Sequence, residues 1–139
     1  MSAENVEMTY ASFEALSTGG PEAYMAYIHP DVEFITPADL ASEPDTYRGH
    51  EGVRRYWDSF YEIMEEIKVE PLAVHDWGDD LVVVEMLLKA RGRATGLEVE
   101  QRATAVVTAV DFKAIRVTFH PTLADAEAEA GARGGTRPA

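Results

Sequence analysis

The chain contains no cysteine, which excludes a disulfide framework and a thiol nucleophile together. Basic side chains are scarce. Twelve Lys and Arg stand against 25 Asp and Glu, a formal charge of −13, so nucleic acid and anionic lipid are repelled rather than attracted. No apolar run approaches the roughly 20 residues needed to cross a bilayer. The opening MSAENVEMTY has acids and no apolar segment of the kind a secretory signal needs, so a cytoplasmic location is the expectation. There is no G-x-S-x-G elbow. The Gly19-Gly20 pair follows a helical stretch instead of leading from a strand into a helix, so it is not a phosphate loop. His29, His50, His75 and His120 share no ligand spacing, and the acids near 39–45, 62–70 and 125–129 lack the regular oxygen spacing of a calcium loop. Neither a metal nor another cofactor is expected.

What is present suits one domain. The 139 residues are 46% apolar and 27% charged, ordinary for a globular fold large enough to bury a real core. The expected domain covers 1–131, with 132–139 as a disordered tail. Ser2 can cap a first helix carrying Val6, Phe13 and Leu16, which Gly19-Gly20 ends. Pro21 opens a short second helix, PEAYMAYIH, bearing Tyr24, Tyr27 and Ile28, and His29-Pro30 stops it. Asp31–Ile35 alternates as a strand, and the proline-rich segment 36–47 reads as a loop at the mouth of a pocket.

The stretch from Tyr47 to Ile67, YRGHEGVRRYWDSFYEIMEEI, predicts the central helix. Val53, Trp57, Phe60 and Met64 mark one stripe, widened by Tyr56, Ile63 and Ile67, with charge on the opposite side. From Lys68 the period changes from 3.6 to 2. Strands are expected at 69–77, 81–91, 97–110 and 114–120, joined by connections short enough for antiparallel pairing. A last helix follows Pro121 to about Ala130. Helices followed by long strands describe an α+β domain in which a curved antiparallel sheet wraps round a long helix and leaves a cone-shaped pocket. Val82, Val84, Met86 and Leu88 share one face of their strand and Leu81, Val83 and Leu87 the other. Apolar surface on both faces predicts a homodimer through the convex side.

This order of elements resembles the nuclear transport factor 2-like (NTF2-like, cystatin-like) superfamily, and within it the SnoaL-like branch. Arg48-Gly49-His50-Glu51-Gly52-Val53-Arg54-Arg55-Tyr56-Trp57 carries the likeness, supported by Asp31-Val32-Glu33-Phe34. The resemblance implies a scaffold shared by polyketide cyclases, ketosteroid isomerases, epoxide hydrolases and non-catalytic binding modules. Arg48 reads as a tie to the preceding loop, or as an anion contact.

Four polar side chains on the strands could carry chemistry. His75 shares a face with Ala73 and Trp77 and reads as a general base or a hydrogen-bonded wall residue. Glu85 interrupts the apolar run LVVVEMLL, so it is either paired or set in a cavity with a raised pKa, where it could move a proton. Arg102, with Glu100 and Thr104 on its face, is a candidate partner for Glu85. A carboxylate near an arginine resembles part of the Asp-Arg-Asp relay of limonene-type epoxide hydrolases, but the acid expected from the last strand is replaced here by His120-Pro121. His120 would then be the proton carrier. The resemblance to ketosteroid isomerases adds the helix tyrosines as oxyanion donors and Asp39 as a base at the mouth. The expected ligand is a small, largely apolar molecule held by Trp57, Phe60, Tyr61, Tyr27 and Phe34. Two functions follow: a cofactor-free isomerase, cyclase or hydrolase working through Glu85, His120, Arg102 and His75, or a dimeric binding module without chemistry.

Overall fold

Gly20, at φ 77° and ψ −172°, kinks the first helical stretch, so the two helices expected on either side of it abut as α1 (Ser2–Tyr24). A 3₁₀ turn, Met25–Tyr27, leads into β1 (Ile28–Thr36). The strand begins before His29-Pro30, where the sequence predicts helix, because Ile28 is buried and pairs with Ala114 of the last strand. The computed structural model describes residues 2–36, 45–78 and 80–137. Most of the expected mouth loop, Asp39 included, lies outside them; its end, Asp45–Arg48, is a short strand, β2, paired with β1.

The charged turn after β2 is a staple. Gly49 adopts φ 69°, a left-handed conformation that favours glycine, and a Cβ at Gly52 would stand 2.8 Å from the Tyr47 carbonyl carbon. The chain can therefore reverse tightly into α2 (Gly49–Ile63). Arg48 Nε donates to Glu33 of β1 at 3.1 Å, His50 Nε2 donates to the Ile28 carbonyl at 2.8 Å, and the Arg55 guanidinium sits 4.4 Å above the Tyr47 ring. Arg54 grips both carboxylate oxygens of Glu22, tying α2 to α1.

α2 ends at Ile63, four residues short of the expected Ile67. Met64 and Glu65 pair instead with Gly92 and Arg91, so β3 (Met64–Asp76) starts there. Ile67 is buried as a strand residue, and Ile63 stays 63% exposed. β4 (Leu81–Gly92), β5 (Glu98–Val110) and β6 (Lys113–His120) complete a six-stranded sheet in the order β2-β1-β6-β5-β4-β3. Only the β1–β6 pairing is parallel. The sheet is curved and does not close.

Its two faces are covered differently. The inner face, with Val82, Val84, Met86, Ala105, Val107 and Val117, packs on Phe13 and Leu16 of α1 and on Val53, Tyr56 and Trp57 of α2. The outer face presents Trp77, Leu81, Val83 and Val106 to α3 (Leu123–Ala132), whose Ala126 and Ala130 are fully buried there. Thr122 caps α3 by accepting the Asp125 N–H. The stretch expected as a disordered tail turns back onto the sheet: the Thr136 N–H donates to the Trp77 carbonyl at 2.9 Å, and Arg137 lies 5.4 Å over the Trp77 ring. The molecule is an α+β cone, and part of the apolar outer surface that led to a dimer from sequence is covered by its own C-terminal helix.

Candidate functional site

The amphipathic face of α2 sets Tyr56, Trp57 and Phe60 opposite the inner sheet face, and between them lies a cleft of about 50 Å³. Val69 of β3, Met86 and Leu88 of β4, Ala103 of β5 and Phe119 of β6 form its other walls. Among the described residues Gln101 contributes the one side-chain amide, and no charged residue lines the space. A more enclosed chamber of about 30 Å³ adjoins it, sharing Trp57, Val69, Met86 and Phe119. A larger groove at Lys68, Lys89, Arg91, Glu98 and Glu100 is an open, charged surface, with Arg91 paired to Glu66 and Glu98.

Aromatic packing holds the cleft's helix side in place. Tyr56 stacks on Phe119 at 5.7 Å between centroids and meets Trp57 and Phe60 edge-on at 5.2 and 5.1 Å. Burial pushes the Tyr56 hydroxyl well above the ordinary phenol range, aided by the nearby Tyr24 and Tyr47 hydroxyls, and burial does the same to Tyr24. Both stay protonated at any working pH, which suits them to donate hydrogen bonds and not to act as bases.

The four polar candidates sit on the other side of the sheet. Glu85 alternates with Val83 and pairs in register with Ala73 and Thr104, while His75 pairs with Val83, so both project from the outer face. Their Nε2–Oε2 distance is 2.8 Å and each is about one-third exposed. Arg102 also points outward; it is exposed and forms no ion pair with Glu85 or Glu100 among the described residues. The partner of Glu85 is thus His75. His120 lies across β5 from them, opposite Thr104, and its Nε2 meets Glu129 of α3 at 2.7 Å. Glu129 in turn accepts from Arg133, whose other nitrogen donates to Thr108. One face therefore carries a polar row from His75 to α3, and the opposite face carries the cleft.

Of the expected ligand contacts, Trp57 and Phe60 line the cleft. Phe34 is fully buried in the core beside it, Tyr61 packs half-buried at its edge with its pKa raised by burial, and Tyr27 lies in the 3₁₀ turn away from both cavities. Among the described residues no three His, Asp or Glu side chains converge as a metal site, and no helix is long and apolar enough to cross a membrane.

A family model described as the SnoaL-like domain matches residues 10–120. The chain belongs to the SnoaL-like family. Solved structures repeat the fold of this SnoaL-like domain at low identity. A putative SnoaL-like polyketide cyclase from Jannaschia superposes at a TM-score of 0.71 with 18% identity, covering 94% of each chain. TerC, co-crystallised with polyporic acid, gives 0.74 at 21% identity over 92% of this chain and 98% of its own. A Catenulispora acidiphila protein with a ketosteroid isomerase-like fold, crystallised with trimethylamine, gives 0.70 at 15% identity over 90% and 92%. A search of curated proteins found no match.

Sequence reasoning passed over Gln101, Ala103, Met86 and Phe119 as parts of the site. Period two had already placed Met86 on the face of Val82 and Val84, and it places Gln101 and Ala103 on the face opposite Arg102. The missing signal was which of the two faces looks at α2.

Proposed function

We propose that this SnoaL-like domain binds a small, largely apolar molecule in the cleft between α2 and the inner sheet face, and that it works as a binding module. The observation that carries this reading is the composition of the walls: among the described residues they are aromatic and aliphatic side chains with a single amide, and none is a carboxylate, imidazole or amine. Two neighbours crystallised with small organic molecules, polyporic acid in one and trimethylamine in the other, support a pocket as a use of this fold. A second reading, cofactor-free acid–base catalysis, draws on the His75–Glu85 pair, because an imidazole oriented by a carboxylate at 2.8 Å is the arrangement a general base needs.

The two readings separate on one variant. Glu85→Gln removes the carboxylate charge beside His75 on the face away from the cleft. Calorimetric titration with a bicyclic hydrocarbon such as indane is expected to give the same affinity within about twofold, since no cleft contact is lost. An affinity drop of tenfold or more would move the binding site to the outer face, and loss of turnover of an identified substrate would favour the enzyme.

Pairing of two chains is proposed through the part of the outer face that α3 leaves open, around the half-buried Leu87, which lies across from Arg102 and in line with Glu85. Sedimentation at micromolar concentration is expected to give twice the mass of one chain, falling to one with Leu87→Lys. A monomeric wild type would remove this element.

A further inference from the structure

Four buried side-chain polar atoms lack a hydrogen-bond partner among the described residues: Trp57 Nε1, Trp77 Nε1, Arg116 Nε and Thr118 Oγ1. Trp77 packs on the outer face under α3, and neither Arg116 nor Thr118 lines the cleft or the chamber. Trp57 is different. It is 6% exposed and forms part of the wall shared by both cavities.

An indole N–H is a donor only, and a buried donor without an acceptor has given up its hydration for nothing in return. No atom of the described residues accepts from it. Thr9 and Ser12, in the inner chamber, donate to the carbonyls of Asn5 and Thr9 at 2.8 Å, and Tyr24, held protonated by burial, brings no charge. Among the described residues no cation or carboxylate lines either space, so a charged group on a ligand would lose its hydration without a counter-ion from them. An uncharged oxygen acceptor meets both conditions.

We infer that Trp57 Nε1 is the hydrogen-bond donor for a neutral acceptor on the ligand, so that the ligand class is a small apolar skeleton bearing one ketone, ester or ether oxygen. This rests on the cleft being the binding site. The indole borders both the cleft and the chamber. Trp57 then selects by hydrogen bonding, while Met86, Val69 and Phe119 select by shape.

The test compares indane with 1-indanone, two molecules of nearly the same shape that differ by a carbonyl, in wild type and in Trp57→Phe. Calorimetry is expected to show indane weakened by the smaller ring and the ketone weakened by roughly a further fivefold or more, so that the ketone-to-indane ratio falls, because the carbonyl is left unpaired. An unchanged ratio in a variant that circular dichroism shows to be folded overturns the inference and leaves the cleft reading standing. Failure of both compounds to bind wild type overturns both. Should Trp57→Phe fail to fold, the wild-type protein decides the matter through its indole N–H resonances. Two are present, one from each tryptophan, and Trp77→Phe assigns them. The Trp57 signal is expected to move downfield with 1-indanone and not with indane. Equal shifts with both would overturn the donor role.

Discussion

Ala103→Phe is expected to lower affinity for indane at least about tenfold while leaving the fold in place. Ala103 is half-buried on β5 and lines the cleft opposite Trp57 and Phe60, so a ring added there occupies the space a ligand would take. Tenfold corresponds to about 1.4 kcal/mol, less than burial of one bicyclic skeleton returns, which makes it a conservative expectation. Overpacking a core commonly costs about 1–3 kcal/mol, but this position faces a void, and the cost falls towards the lower end. The check is a titration beside a urea melt. Unchanged affinity in a variant that melts like wild type would mean that the ligand sits elsewhere. Leu88→Phe, on the next strand of the same wall, provides a second way to fill the space if the first variant is unstable.

Phe34→Ala should destabilise the protein by about 3–5 kcal/mol, the usual range for removing a fully buried phenyl ring. Phe34 is 0% exposed on β1 and meets Tyr24 at 6.3 Å, Tyr56 at 5.7 Å and Phe119 at 5.6 Å, each edge-on. It therefore joins α1, α2 and β6 at one point, and the cavity left by its loss is walled by rings that cannot all collapse inward. Urea unfolding is expected to show a lower midpoint with an unchanged slope. A loss below about 1 kcal/mol would mean that the ring is a replaceable wall of the ligand space. Phe60→Ala, which lines the cleft and is only partly buried, should cost less stability and more affinity than Phe34→Ala.

The contrast between these phenylalanines marks where sequence reading stopped. Helical period on α2 shows that Val53, Tyr56, Trp57 and Phe60 share a side, and alternation on β4 separates Val82, Val84 and Met86 from Leu81, Val83 and Glu85. Neither pattern says which side of the sheet α2 occupies. Both faces of β4 are apolar because α3 covers the second, and α3 is an alanine-rich segment with little amphipathic signal of its own. Glu85 consequently looked like a charge intruding on a core when it stands on the outer face, satisfied by His75. The partner sits within an unbroken register, His75 across from Val83 and Ala73 across from Glu85, so the pairing is a diagonal contact on one face that alternation along a single strand does not reveal. The end of α2 was misplaced for a similar reason: Met64 and Ile67 fit the helical stripe, but pairing with β4 takes the chain first, with Glu66 at φ 55° in the irregularity that allows it. The turn that opens the staple at Arg48–Trp57 was legible because Gly49 and Gly52 act within it, whatever lies across the sheet; the reach of His50 to Ile28 and of Arg54 to Glu22 was not.

The central claim is that function resides on the inner face, in the apolar cleft, and not along the polar row outside. Amide and methyl chemical shifts followed through a titration with 1-indanone test it most directly. Perturbations are expected to concentrate at Trp57, Phe60, Met86, Leu88, Gln101, Ala103 and Phe119, with His75, Glu85, Arg102 and His120 unmoved. Perturbations centred on His75 and Glu85, with the cleft residues silent, would contradict it.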